Sequence, residues 1–404
     1  MKNRKGSKEM IEYRFATEND VEKMVEAIYD IWLNQEGGSV SDAIEVSEGF
    51  AYYYRNFKDY TDQKIVLAID TDTEKIAGLA GYLEHPLLEL PHAKAVQMNP
   101  VGVRKEYRRK GIARKCSDFL CNYLKENGYS FVLVCGVPHL YPYIGYHQVF
   151  SFKKVEFEEP FMFESSNDIL LKKADTDTVH NILDIYRNAD KGNLFAMERS
   201  KVWLDRKFFF KKYKIKDFAP QVPLGAIDVN RVYFVMQNDA YLGYILLNRA
   251  DAEEVNIEEL FTIDDTVVSS VLKEVQTLFG TEKISVHHCS VGSSIYEAAV
   301  KYGNILSFDS SLYIKVLDIK KLLYGMKHIL EKRLNEKISD RDLERICEML
   351  DALNEEQKAS VLVGKSLYNE VIDYTAVNVS EADLARMKLC FPKHSPYLLE
   401  PDMN

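Results

Sequence analysis

Apolar and polar residues alternate through Ile11-Glu-Tyr-Arg-Phe15, the period-two pattern of a half-buried strand. Thr17-Glu-Asn-Asp20 follows as a helix start with acidic residues in its first turn, which predicts a helix from Val21 to Leu33. Strand patterns over Lys64 to Asp70 and Lys75 to Glu84 flank the polar turn Thr71-Asp-Thr-Glu74 and read as a hairpin. Beyond Pro91 come a strand from Ala95 to Val103, a helix from about Lys110 to Asn127, a buried strand from Phe131 to Cys135 and a short helix near His139. The order β, α, β, β, β, α, β, α points to a mixed α+β sheet.

A similar succession returns downstream. Ile169 to Lys173 reads as a strand, Asp177 to Ile185 as part of a helix, and Val232 to Met236 with Tyr241 to Leu247 as a second hairpin around Gln237-Asn-Asp239. Glu258 to Ile263 (strand), Val267 to Phe279 (helix), Lys283 to His287 (strand) and Ser293 to Lys301 (helix) complete it. This is the pattern of a duplicated fold, with a boundary expected between Glu158 and Asn167. From Ser311 the pattern changes to a strand over Leu312 to Val316 and amphipathic helices over Lys320 to Leu334 and Asp340 to Leu353. The tail carries spaced prolines between Phe391 and Asn404, with Phe391 and Tyr397 as apolar anchors, and is expected to dock. Three domains follow: 1–156, 157–310 and 311–404.

At 404 residues the chain is long enough for several cores. Its formal charge of -10 argues against phosphate-backbone binding as the main task, so no nucleic-acid partner is expected. The six cysteines are dispersed without a CxxC pair, which gives no support to a metal site or a disulfide framework. No signal peptide or membrane-length apolar run is visible, so a cytoplasmic location without membrane association is the expectation.

The charge is unevenly placed. From Arg104 to Lys115 there are seven basic residues and one acidic residue, a local +6 at the point where a strand hands over to a helix. A helix N-terminus presents unpaired N–H groups and the positive end of its dipole, and so suits a phosphate. Gly111 and Ala113 would let those amides approach a pyrophosphate closely.

The joint pattern is Val101-x-Val103, then Arg108-x-x-Gly111-x-Ala113, then an apolar helix face through Ile112, Cys116, Phe119 and Tyr123. It resembles the acetyl-CoA signature of the GNAT superfamily of N-acetyltransferases, although relatives often carry proline where Lys105 stands. The resemblance implies acetyl-CoA as co-substrate and no metal. Val101, Gly102 and Val103 would lie along its pantetheine arm. Arg108, Arg109, Lys110, Gly111, Ile112, Ala113 and Arg114 would surround its pyrophosphate, and Gly136 would also line its site. Tyr141-Pro-Tyr-Ile-Gly145-Tyr146 looks like the family's Tyr-x-x-x-Gly-Phe/Tyr ending. A phenol stays protonated at neutral pH and can donate to a departing thiolate, which makes Tyr141 the candidate general acid. His139 is the competing titratable group. Cys116 and Cys135 read as small apolar fillers.

Length, duplication and a third segment together resemble the enhanced intracellular survival (Eis) branch of this superfamily. That resemblance implies tandem GNAT folds with a C-terminal sterol-carrier-like α/β domain, and a second domain without the cofactor motif. Phe261-Thr-Ile-Asp-Asp-Thr266 stands where the motif would be, and its acidic pair would repel a pyrophosphate. The branch also implies a homo-oligomer, often a hexamer, and a terminal carboxylate acting as base, which here belongs to Asn404, with Asp402 as the other candidate. The expected activity is acetyl transfer to a primary amine of a small cationic substrate, such as an aminoglycoside, a polyamine or lysine. A catalytically silent acyl-CoA sensor or scaffold is the alternative. A tandem-domain acyl or aminoacyl transferase acting on peptides would not be expected to keep the motif in the first half alone.

Overall fold

The computed structural model describes residues 10–56, 64–88, 90, 92–136, 140–148, 151–158, 163, 168–189, 196–209, 212, 226–289, 294–309, 312–362 and 380–391. Two mixed sheets with flanking helices form its framework.

The first sheet has the order β1 (Ile11–Phe15), β2 (Ile65–Asp70), β3 (Ile76–Glu84), β4 (Lys94–Val103), β5 (Tyr129–Cys135) and then β13 (Leu312–Val316). The second has the order β12 (Asn304–Asp309), β6 (Ser151–Glu158), β11 (Lys283–Cys289), β10 (Val255–Thr262), β9 (Ala240–Ala250), β8 (Val232–Gln237) and β7 (Leu170–Lys173). From β7 to β11 the second sheet repeats the order of β1 to β5, so the duplication legible in the sequence is present in the fold. Each series is extended by a strand from outside it, and β12 pairs beyond β6 in the second sheet. Antiparallel β13 lies beside β5, and antiparallel β6 lies beside β11. Strand 151–158, which the pattern did not predict and which straddles the boundary expected at residue 156, thus belongs to the second sheet. Strand 312–316, expected to open the third domain, closes the first.

Helix α1 (Val21–Leu33) spans the residues its pattern predicts. Helix α2 (Val40–Asn56) was not legible, because it buries mainly small residues, Ala43, Ser47, Gly49 and Ala51, which leave a weak apolar stripe. Both cover one face of β2 and β3, where Met24 and Ile28 pack with Leu67 and Leu79. Helix α3 (Ile112–Glu126) covers the opposite face, with Ile112, Cys116 and Leu120 against Ala80, Val96 and Val132. In the second half, α4 (Ile182–Ala189) and α5 (Lys201–Phe208) lie on one face of their sheet and α6 (Val268–Phe279) on the other, followed by α7 (Ser294–Tyr302).

Beyond β13 the described residues are helical: α8 (Ile319–Leu334), α9 (Asp340–Asp351), α10 (Glu355–Leu362) and α11 (Glu381–Cys390). Their apolar faces close onto the first sheet, with Leu322, Met326 and Leu350 in one core with Ala95, Phe131 and Leu133. Phe391 is buried in that core, as its reading as an anchor implies. Residues 392–404, including Tyr397, lie outside the described residues.

Candidate active site

Strands β4 and β5 run parallel and pair from Lys94–Tyr129 to Gln97–Leu133, and then part. Two residues of β4, Asn99 and Pro100, oppose the single Gly81 of β3, a bulge that bends the strand. Past the bulge β4 stays with β3, through Ala80–Val101, Leu79–Gly102 and Gly78–Val103, while β5 stays with β13. A wedge opens between them, with Val101 and Val103 on one wall and Cys135 and Gly136 at the end of the other. Gly102 has a packing reason to be glycine, since a Cβ there would lie 2.6 Å from Ile31 Cγ2 of α1.

The strand leads through a tight turn at Lys105–Tyr107 into α3. That turn forms with lysine where relatives carry proline. It is anchored by Tyr107, whose buried hydroxyl donates to Asp70 at the end of β2 over 2.6 Å. This bond holds the Asp70 carboxyl below its ordinary pKa. Arg109 and Gly111 both adopt left-handed backbone, at φ 64° and 75°. Open space surrounds the position of a Gly111 Cβ, so its conformation is what calls for glycine there. No acidic side chain occupies the first turn of α3. Positive φ, a bare helix N-terminus and this basic setting fit a pyrophosphate.

The basic cluster is more divided than a +6 suggests. Arg104 is buried and pairs with Asp30 and Glu26 of α1, so it belongs to the core. The Arg108 guanidinium turns back to the carbonyls of Val103 (3.2 Å) and Asn34 (3.0 Å), and Arg114 donates to the carbonyl of Tyr143. Lys110 lies over the Tyr107 ring and Lys115 over that of Tyr13. Exposed Lys105, Arg109, Lys110 and Lys115 carry the loop's outward charge.

Tyr141 is buried beside the end of β5, and a Cβ on Gly136 would stand 3.2 Å from its phenol oxygen. Gly136, at φ 147°, therefore makes room for that hydroxyl. The Tyr141 ring lies 6.0 Å from that of Tyr146 and 5.5 Å from that of Tyr313. Tyr313 enters on β13 opposite Val134, more than 150 residues along the chain, and only the strand's apolar pattern hinted at it. Burial, with Cys135 and Tyr313 nearby, raises the Tyr141 pKa well above that of an ordinary phenol. Cys116 is the apolar filler expected, with burial pushing its thiol pKa up to about 12. Cys135 is not a filler: its side chain is exposed at the strand's end, where β4 has departed. His139, Asp402 and Asn404 lie outside the described residues.

The second sheet copies the wedge but closes it. Strands β10 and β11 pair only from Val255–Ile284 to Ile257–Val286, with a bulge before Glu259. There Glu259 is buried and takes a two-pronged ion pair from Arg199. At the entrance to α6 the Asp264 carboxylate accepts the Thr266 N–H over 2.9 Å, so an internal anion already occupies the turn where a pyrophosphate would bind.

Residues 25–152 match the acetyltransferase (GNAT) family profile. It is thus this stretch that matches a GNAT acetyltransferase domain. That family moves acetyl groups from acetyl-CoA, and the wedge, turn and α3 lie within the matched residues. No curated protein matches the chain. The chain is similar in fold to a GCN5-related N-acetyltransferase from Anabaena variabilis ATCC 29413, at 13% identity and TM-score 0.63, over 96% of this chain and 99% of that one. It is also similar to a conserved protein of unknown function from Enterococcus faecalis V583 (12%, TM-score 0.58, 78% and 74% of the chains). Eis1 from Mycobacterium abscessus is a further structural neighbour (11%, TM-score 0.53, 78% and 76%). Among the described residues no helix is long and apolar enough to cross a membrane, and no three His, Cys, Asp or Glu side chains gather as a metal site.

Proposed function

We propose that the protein transfers the acetyl group of acetyl-CoA to a primary amine of a small cationic molecule by direct attack. The observation that carries this reading is the β4–β5 wedge, which has a bare helix N-terminus beyond its mouth and a buried phenol on its flank. In this reading Val101 and Val103 offer backbone groups to the pantetheine arm. Ile112, Ala113 and the left-handed turn at Arg109–Gly111 hold the pyrophosphate. Gly102 and Arg114 act by packing and by bracing the loop.

The neutral amine nitrogen attacks the thioester carbonyl, a C–N bond forms, the C–S bond breaks and CoA leaves as a thiolate that takes up a proton. The surplus proton on nitrogen passes to a base, for which the terminal carboxylate of Asn404 or the side chain of Asp402 is proposed. A phenol with a pKa far above that of a thiol does not give up its proton downhill. The contribution of Tyr141 is then a hydrogen bond that strengthens as charge grows on sulfur.

The test is acetyl-CoA turnover, read as free thiol, against aminoglycosides, polyamines and lysine-bearing peptides, with Tyr141→Phe as control. CoA binding without acetylation of any amine would leave the protein an acyl-CoA sensor.

A further inference from the structure

A cavity of about 240 Å³ lies at the seam between the first sheet and the second half. Residues 86 to 88 and 196 to 198 form that seam, with Leu88 N–H on the Ala196 carbonyl and Glu198 N–H on the Pro86 carbonyl. The inner wall includes Gln97, the last β4 residue paired with β5, so the cavity meets the wedge at its vertex. Val96 and Met98 face α3, and strand alternation turns Gln97 to the opposite side. The cavity therefore approaches the vertex from the face away from α3, whose N-terminus marks the cofactor's side.

The remaining walls are mainly apolar, with His85 and Ser200 among them. Leu83 comes from β3, while Met197, Val202 and Trp203 come from the second half, with buried Arg206 behind them. Glu84 and Glu198 are exposed and line the same cavity, so solvent reaches it past carboxylates. The volume falls below the roughly 300–1,000 Å³ of sites that enclose drug-sized ligands. A branched polyamino sugar would extend out of such a space past its mouth.

Resting on the acetyl-transfer reading, we infer that this cavity is the acceptor site, and that the acceptor is a small primary amine on an apolar or aromatic stem. The stem lies along Leu83, Met197, Val202 and Trp203, and the amine reaches the vertex at Gln97. The carboxylates at the entrance draw in the cationic form, and apolar walls favour its neutral form at the vertex. The second half, which has no cofactor turn of its own, thereby supplies the specificity of the first.

The experiment measures phenethylamine, a polyamine and a multi-ring aminoglycoside in turnover, and phenethylamine binding by calorimetry with CoA present. Val202 is 49% exposed, so Val202→Trp fills the cavity and Val202→Lys places a positive charge in it with little risk to the fold. The expected result is a KM for phenethylamine at least tenfold below that for the aminoglycoside. Both variants raise that KM and the phenethylamine dissociation constant at least tenfold, with the unfolding midpoint and CoA affinity unchanged. Wild-type-like phenethylamine affinity in both variants, or a lower KM for the aminoglycoside, overturns the inference. Phenethylamine binding that is lost in both variants, with no amine acetylated, supports the cavity and defeats the acetyl-transfer reading alone.

Discussion

Arg199 and Glu259 meet as a buried two-pronged ion pair, Nη2 to Oε1 at 2.8 Å and Nη1 to Oε2 at 3.0 Å, at the point where β10 leaves β11. Tyr244 joins both partners, accepting from Arg199 over 2.8 Å and donating to Glu259 over 2.6 Å. The guanidinium lies over the rings of Tyr186 and Trp203, 4.0 and 4.4 Å from their centroids. A charge left alone in such a place has no route to water.

Replacing Glu259 with Gln keeps the shape and strands the Arg199 charge. The expected cost is about 3–5 kcal/mol of second-half stability. Hydrogen exchange of β9 and β10 should show it, with protection lost there before it is lost in β2 and β3. Unchanged protection would mean that the pair is not needed to close the second wedge.

Tyr141→Phe should lower kcat by about 10²- to 10³-fold, the range for losing one hydrogen-bond donor aimed at developing charge, with little change in CoA affinity. The raised pKa of Tyr141 fixes the sign of the pH effect, because the protonated phenol persists to higher pH than an ordinary tyrosine. Wild-type kcat should therefore show no alkaline fall from this group up to pH 10. A Tyr141-dependent fall centred near the ordinary phenol value would contradict the burial seen here.

Gly102 and Gly111 stand nine residues apart for different reasons. Gly102→Ala forces a Cβ against Ile31 and should destabilise the first half by about 1–3 kcal/mol, with Ile31→Ala restoring part of the loss in a double-mutant cycle. Gly111→Ala meets no neighbour and should cost only the left-handed backbone, about 1–2 kcal/mol, while weakening CoA binding. Equal stability losses without any loss of CoA affinity would erase the distinction.

Asp20 takes two 2.8 Å hydrogen bonds from the Arg14 guanidinium and another from the Thr17 N–H, which together hold its carboxyl well below the usual range. A lowered folded pKa adds stability above the unfolded value near 3.9 and loses it as pH falls through and below that value. The stability difference between the wild type and Asp20→Asn should be full at pH 7 and shrink from about pH 5 downward, as thermal melts across that range would show. A difference independent of pH would assign the effect to packing.

Most of the repeated elements could be read from the sequence, because α1, α3 and α6 each bury one regular face and β2 and β3 are short apolar runs buried on both faces. Residues such as Ala43, Ser47 and Gly49 hid α2, since small side chains bury closely without an apolar stripe. Local pattern located the turn at Arg108–Ala113 but not the division of its charges: whether Arg104 faces solvent or Asp30 depends on α1, more than 70 residues away. Pattern also missed Tyr313, because β13 reads as an ordinary strand and nothing local says which sheet receives it. Cys135 was misjudged for the same kind of reason. Its strand is buried, but the neighbour that would have covered its end diverges after Gln97.

The exchange of β6 and β13 also sets an order of events during synthesis. Strand β5 is finished at Cys135, but its outer edge stays open until Leu312 to Val316 have been made. At the usual pace of about 5–20 residues per second, the first sheet waits roughly nine to thirty-six seconds, with the whole second half emerging in between. The nascent first half thus carries an exposed strand edge until then, and the Tyr141–Tyr313 contact is among the last features of the site to form.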